Sequence, residues 1–273
     1  MGAISLYAKA SPDFAQKLAA SRALLISAAA QYTPLTQASS LGAEDMVVTQ
    51  LIHDTGIGSR VFVLDTGMLH PQTLALIGRL EERYGLSVDV YQPDPAAAAD
   101  FVRDNGEDAM YRSLDLRKGC CHIRKMEPLE RALTGKKGWI TGLRREQSNA
   151  RADVHDVEQQ ELLIQGETVS RAKINPLADW TWGDVWHFIA ANNIPYNPLH
   201  DEFFPSIGCA PCTRAVTLGE DFRSGRWWWE QESAKECGLH VAADGTHEAE
   251  EPAAFEPLVR PVSSIIPIRQ IPA

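Results

Sequence analysis

The sequence predicts an α/β fold: a mostly parallel, twisted sheet with helices on both faces. Three observations predict it. Short apolar strands alternate with segments of helical spacing through the first half of the chain. The strands read as continuous apolar runs, such as Arg60–Leu64 (RVFVL), which suits a sheet buried on both faces. The segments most suggestive of ligand binding all follow a predicted strand, where open parallel sheets bind their ligands.

The elements follow in order. Ser11 and Pro12 start a helix that runs through Leu18, Leu24 and Ile26. Pro34–Ser40 reads as the first strand, and the spacing of Met46, Val47, Gln50, Leu51 and His53 as a helix. Arg60–Leu64 is the second strand. Leu74, Ile77, Leu80 and Tyr84 mark another helix, and Leu86–Tyr91 a third strand. Pro93–Pro95 opens the next connection. Gly138–Gly142 (GWITG) is a strand ending in glycine, followed by a charged loop from Arg144 to Asp153. Val154–Gln165 reads as a short hairpin, Thr181–Asn192 as an aromatic-rich helix, and Pro195–Pro211 as irregular. A last helix is expected over Arg226–Glu236. The acidic, Pro-rich Ala242–Pro257 reads as a mobile linker. No internal repeat is found.

At 273 residues, the chain suits one α/β domain with a tail. Its formal net charge of −10 argues against a broad nucleic-acid surface and confines anion binding to local clusters of Arg and Lys. The longest early apolar run, Ala23–Ala30, is too short to span a bilayer and lacks a cleavage pattern. A cytoplasmic protein with no membrane association is therefore expected, its thiols reduced and available for metal or catalysis.

Four of the five cysteines form two close pairs, Cys120-Cys121 and Cys209-Ala210-Pro211-Cys212. Two distant pairs of soft ligands suit either an iron–sulfur cluster or a structural zinc. Adjacent cysteines diverge, so bringing both to one centre needs special backbone. Cys237 stands alone in a polar setting, with Lys235 and His240 placed to favour its thiolate. On the anion side, Ser39–Asp45 offers hydroxyls, a glycine and a helix start, without the lysine of a Walker loop. Leu64–Gly67 ends the second strand. The loop Gly142–Arg151 carries Arg144, Arg145 and Arg151, whose guanidinium groups can meet phosphate or sulfate oxygens in pairs. Trp227–Trp229 follows Arg223 and Arg226, and three successive indoles cannot all share one helix face.

These segments together resemble the adenylyl-sulfate and phosphoadenylyl-sulfate reductase family. The signatures are Ser39–Asp45, Leu64–Gly67, KGCCHIRK at 118–125, Gly142–Arg151, IGCAPCTR at 207–214 and GRWWWEQESAKECGLH at 225–240. The paired cysteines resemble its iron–sulfur branch, whose substrate is adenosine 5′-phosphosulfate. The resemblance implies an adenine-nucleotide α-hydrolase-like fold and one [4Fe-4S] cluster per chain on Cys120, Cys121, Cys209 and Cys212. It implies Cys237 as the catalytic cysteine, with His240 accessory to it, and thioredoxin as a separate electron donor. Ser39, Ser40 and Gly42 would form the phosphate loop. Leu64, Asp65, Thr66, Gly67 and Gly142 would line the adenosine pocket. Lys125 would lie near the cluster and the substrate, and Arg144 and Arg151, with Arg223 and Arg226, would engage phosphate and sulfate. Many cluster-bearing members carry Ser where Leu41 stands. The chain then divides into a nucleotide- and cluster-binding domain over 1–225, a mobile segment over 226–240 carrying Cys237, and a tail over 241–273 without a family match. A homo-oligomer is compatible with the sequence. The competing readings are an ATP pyrophosphatase-type enzyme, a zinc-stabilised binding module, and a reductase of the 3′-phosphorylated nucleotide.

Overall fold

In the computed structural model, the described residues are 2–164, 167–217 and 219–230. Two short or long helices, α1 (Ala3–Tyr7) and α2 (Phe14–Gln31), precede the first strand, β1 (Leu35–Ser39). Then follow α3 (Ala43–Thr55), β2 (Arg60–Leu64), α4 (Pro71–Tyr84) and β3 (Val88–Tyr91). The helical segments α5 (Pro95–Asn105), α6 (Ala109–Arg112) and α7 (Leu114–Cys121) lead through a π-helical turn, His122–Met126, into α8 (Glu127–Leu133). Strands β4 (Gly138–Ile140), β5 (Val157–Ile164) and β6 (Glu167–Ile174) and helix α9 (Trp182–Ala191) complete the regular elements.

The strands form one sheet in the order β3-β2-β1-β4-β6-β5. All neighbours are parallel except the β5–β6 hairpin at the edge. This is the expected fold class. Alternation of side chains across each strand divides the core in two. Leu35, Val63, Val88 and Ile140 pack with Met46, Leu51, Leu76 and Trp186 of the helices on one face. Phe62 and Trp139 point to the other face, against Leu129 and Leu133 of α8. Buried Gln37 ties β1 to α3: its amide donates to the Asp45 carbonyl at 2.9 Å and accepts from Thr49 at 3.0 Å.

Two expectations change. The hairpin is longer and later than Val154–Gln165, because Val157–Ile164 is entirely its first strand and Glu167–Ile174 its second. The helix expected from Arg226 does not form over the described residues, which end at Glu230. Arg226 instead pairs across to Thr213, and Trp227 takes a φ of +42°, incompatible with a right-handed helix. The expectations for Cys237, His240, the linker and the tail lie outside the described residues.

Candidate functional site

Parallel pairing aligns the carboxyl ends of β1, β2 and β4, and a cavity of about 190 Å3 opens beyond them. Ser39 ends β1, and its hydroxyl accepts the Leu41 N–H at 3.2 Å. Leu41 takes a left-handed φ of +61° and is fully buried, so its side chain serves the core while the turn presents Ser40 and Gly42 to the cavity. Asp45, in the first turn of α3, closes this loop. Its Oδ2 accepts both the N–H and the hydroxyl of Ser40, each at 2.6 Å. Burial pushes the Asp45 carboxyl up to about 6, against the opposing hydrogen bonds from Ser40 and Gly142.

The sequence-predicted residues Ser39, Ser40, Gly42, Leu64, Thr66 and Gly142 line the cavity walls. Lys125, Arg151, Arg223 and Arg226 bring four cations to the same space. Gly142 is required by a close approach: an added Cβ would stand 2.5 Å from Asp45 Oδ1 and 2.9 Å from Glu44 Cβ.

Three predicted residues do not line it. Arg144 is 1 % exposed and held by the protein's own anions. Its Nε and Nη2 donate to Glu44 Oε1 at 3.0 and 2.9 Å, and its Nη1 to Glu146 at 2.8 Å. Its guanidinium also lies over the rings of Trp182 and Phe222. It therefore stands behind the wall and fixes Glu44, which does line the cavity. Asp65 and Gly67 shape the turn after β2. The Asp65 carboxylate accepts the Gly67 N–H at 3.0 Å, and Gly67 adopts a φ of +71°. That turn delivers Thr66 inward.

Sequence reasoning did not select Glu44, Asp45, His200 or Trp227 as site residues, yet all four line the cavity. Glu44 and Asp45 sat within the recognised loop motif, and their adjacency at a helix start was the available signal. His200 gave none, because it reaches the wall from an irregular, proline-rich stretch. It is buried between the Trp182 and Trp186 rings, with both ring nitrogens lacking a geometrically good hydrogen bond. Burial pushes its imidazole down to about 4.

The four paired cysteines meet beside this cavity. Cys120 and Cys121 end α7, where the helix loosens into the π-helical turn that carries Lys125. Cys121 itself keeps ordinary right-handed helical angles, and the π-helical turn begins one residue later. Cys209 precedes and Cys212 ends the short turn Ala210–Cys212, which is pinned by Ala210 N–H to the Met68 carbonyl at 2.7 Å. All four line one small hollow together with Arg117, Arg124 and Lys125. None forms a disulfide. Burial, followed by the proximity of Cys209 and Cys121, pushes the Cys212 thiol up to about 12. Burial and then Cys121 raise Cys120 as well. Among the described residues, no group of three or more His, Cys, Asp or Glu is arranged to hold a single metal ion.

The two sites share a wall. Lys125 lines both. Thr66 lines the larger cavity and places its hydroxyl 3.2 Å from Cys209 Sγ. Trp227 lines the cavity and packs on Cys209 and Cys212, with the guanidinium groups of Arg117 and Arg226 each 4.6 Å from its ring centroid.

A parallel sheet with a hydroxyl-bearing loop at a helix start, and four cations at the strand ends, defines an anion- and nucleotide-binding α/β protein. Residues 34–215 match the phosphoadenosine phosphosulfate reductase domain, and the chain belongs to that family. It is 48 % identical over 230 residues to an adenosine 5′-phosphosulfate reductase of Burkholderia cepacia, covering 84 % of this chain and 90 % of that one. It is 52 % identical over 203 residues to one of Allochromatium vinosum, covering 74 % and 77 %. Among solved structures, the phosphoadenylyl-sulfate reductase of Candida auris in a phosphate complex superposes with a TM-score of 0.58 at 24 % identity, covering 76 % of this chain and 98 % of that one. A yeast FAD synthetase shares the fold at a TM-score of 0.52 and 14 % identity, covering 76 % and 70 %. Among the described residues, no helix is long and apolar enough to cross a membrane.

Proposed function

We propose that the protein reduces adenosine 5′-phosphosulfate to sulfite and AMP in assimilatory sulfate reduction, with thioredoxin as a separate electron donor in the cytoplasm. One observation carries this reading: a cavity with four cations at the strand ends shares a wall with a four-cysteine hollow. The substrate class follows the names of the Burkholderia and Allochromatium relatives.

In this scheme the Cys237 thiolate attacks the sulfate sulfur. The bond from that sulfur to the phosphate oxygen breaks, and AMP leaves with the electron pair. Lys125, Arg151, Arg223 and Arg226 offset the charge that develops on the leaving oxygens. Cys237 then bears an S-sulfonate. A thioredoxin thiolate attacks the Cys237 sulfur and expels sulfite, and the second thioredoxin thiol resolves the mixed disulfide. Thioredoxin thus supplies both electrons and returns Cys237 as a thiolate. His240, three residues on, assists that thiolate.

The hollow suits a [4Fe-4S] cluster on Cys120, Cys121, Cys209 and Cys212. Four sulfur donors face three cationic side chains that would offset its negative charge. The Trp227 ring packs on Cys209 and Cys212 beside the hollow, and its buried Nε1 has no acceptor among the described residues. A four-iron centre spreads its ligands over several irons, so the arrangement need not satisfy a single ion. When bound, such a cluster would supply a fixed charge and hold Lys125 toward the substrate. The covalent route requires no electrons from it.

The deciding experiment uses anaerobically purified protein, reduced thioredoxin and adenosine 5′-phosphosulfate. Sulfite release and about four irons per chain are expected. Cys237→Ser should lower sulfite release at least 10³-fold, within the range for loss of a nucleophile, and yield no S-sulfonated protein by mass spectrometry. Normal turnover in that variant would refute the scheme.

A further inference from the structure

Glu44 is used on one side only. Its Oε1 receives three hydrogen bonds: Arg144 Nε at 3.0 Å, Arg144 Nη2 at 2.9 Å and Gln147 Nε2 at 2.9 Å. Among the described residues its Oε2 receives none and is not fully buried, and the residue lines the cavity. Glu44 Oε2 is therefore an accepting oxygen open to the cavity, on a side chain only 10 % exposed. Its neighbour Asp45 differs, because Asp45 Oδ2 is occupied by Ser40. Arg144 holds Glu44 rigidly from behind, and Gly142 lets the start of α3 approach β4 closely enough to set it there.

A rigid carboxylate in a cavity built for an anion needs a reason. It opposes any phosphate or sulfate placed against it, and it offers an acceptor to a hydroxyl. Dinucleotide-binding folds use an acidic side chain in this way to take a ribose hydroxyl and refuse a phosphate ester at the same position. Resting on the reading of the cavity as an adenosine 5′-phosphosulfate site, we propose that Glu44 Oε2 accepts a hydrogen bond from the ribose 3′-hydroxyl. It thereby excludes the 3′-phosphorylated nucleotide. Arg144 and Gln147 are positioning residues for that oxygen.

The selectivity follows from two penalties. A 3′-phosphate brings a doubly charged group against a carboxylate that cannot turn away. A 3′-deoxy nucleotide leaves a mostly buried acceptor unmatched, and sites built to hydrogen-bond a hydroxyl reject analogues lacking it strongly.

The test measures binding by calorimetry, using the product nucleotide so that neither turnover nor a reductant is involved. Wild-type protein is titrated with AMP, 3′-deoxy-AMP and adenosine 3′,5′-bisphosphate. AMP is expected to bind at least tenfold more tightly than either of the others. In Glu44→Gln, which keeps the shape and removes the charge, the preference over the bisphosphate should shrink at least tenfold. Should that variant fail to fold, the wild-type 3′-deoxy comparison still decides. Equal affinity of wild type for AMP and 3′-deoxy-AMP, or unchanged discrimination in Glu44→Gln, would overturn the proposal while leaving the cavity a nucleotide site. Failure of wild type to bind AMP at all would remove the underlying reading as well.

Discussion

Asp45 and His200 line one cavity and respond to burial in opposite senses. Asp45 is raised from 3.8 to about 6 by desolvation, so the folded protein prefers it protonated. Its contribution to stability is present below pH 3.8 and is lost as pH rises through about 6. Burial lowers His200 from 6.5 to about 4, so the folded protein prefers it neutral. Its contribution is present above pH 6.5 and is lost as pH falls through about 4. Each displacement corresponds to about 3 kcal/mol, so over this window the two nearly cancel. Removing either should expose the other. Asp45→Asn should lose stability more steeply than wild type on acidification from pH 6.5 to 4. His200→Gln should gain stability over the same interval. Thermal midpoints across that range check both, and parallel curves for all three proteins would contradict the assignment.

At the scale of elements, the start of α3 and the end of β4 are held close by the absence of a side chain at Gly142. Gly142→Ala would force a methyl group against Asp45 Oδ1, Glu44 Cβ and the Asp45 backbone nitrogen. The last two cannot swing aside as a flexible side-chain end could. Overpacking of this kind costs about 1–3 kcal/mol, and AMP affinity should fall with the displaced loop. Unchanged calorimetric affinity and melting temperature would show that the helix adjusts freely. Strand β2 was legible as a short apolar run that both faces bury, whereas the adjacent β1 buries Thr36, Gln37 and Ser39 and shows itself more by the loop that follows it. Helix α5 was not legible: Pro93–Pro95 reads as the opening of a connection, and none of the helix's residues is buried. The anion loop was legible from its hydroxyls and glycine. The role of Arg144 was not: an arginine in a strand-end loop signals an anion, and only the fold shows that the anion is Glu44. The expected helix from Arg226 failed for a tertiary reason, the tie to Thr213 and the left-handed turn at Trp227.

Over the whole molecule, distant segments meet at the cysteine layer. Arg117 of α7 is buried and makes a bidentate pair with Glu230, both contacts at 2.8 Å, while stacking on Trp227. This joins residues 113 positions apart and anchors the end of the described chain. Removing one partner of a buried pair costs about 3–5 kcal/mol, because the remaining charge keeps its desolvation penalty. Glu230→Ala should therefore lower the melting temperature by roughly 10 °C, given about 2–4 °C per kcal/mol for a chain of this size. A shift under about 2 °C would indicate that Arg117 finds sufficient alternative partners.

The common wall of Lys125, Thr66 and Trp227 has a consequence for a reagent arriving from solvent. A molecule seated in the larger cavity stands against the same side chains that screen the sulfurs, and so acts as a stopper. With the proposed cluster in place, saturating AMP should slow the stripping of iron by a chelator severalfold, followed as fading of the visible absorption. If stripping is indifferent to AMP, the sulfurs are reached by another door.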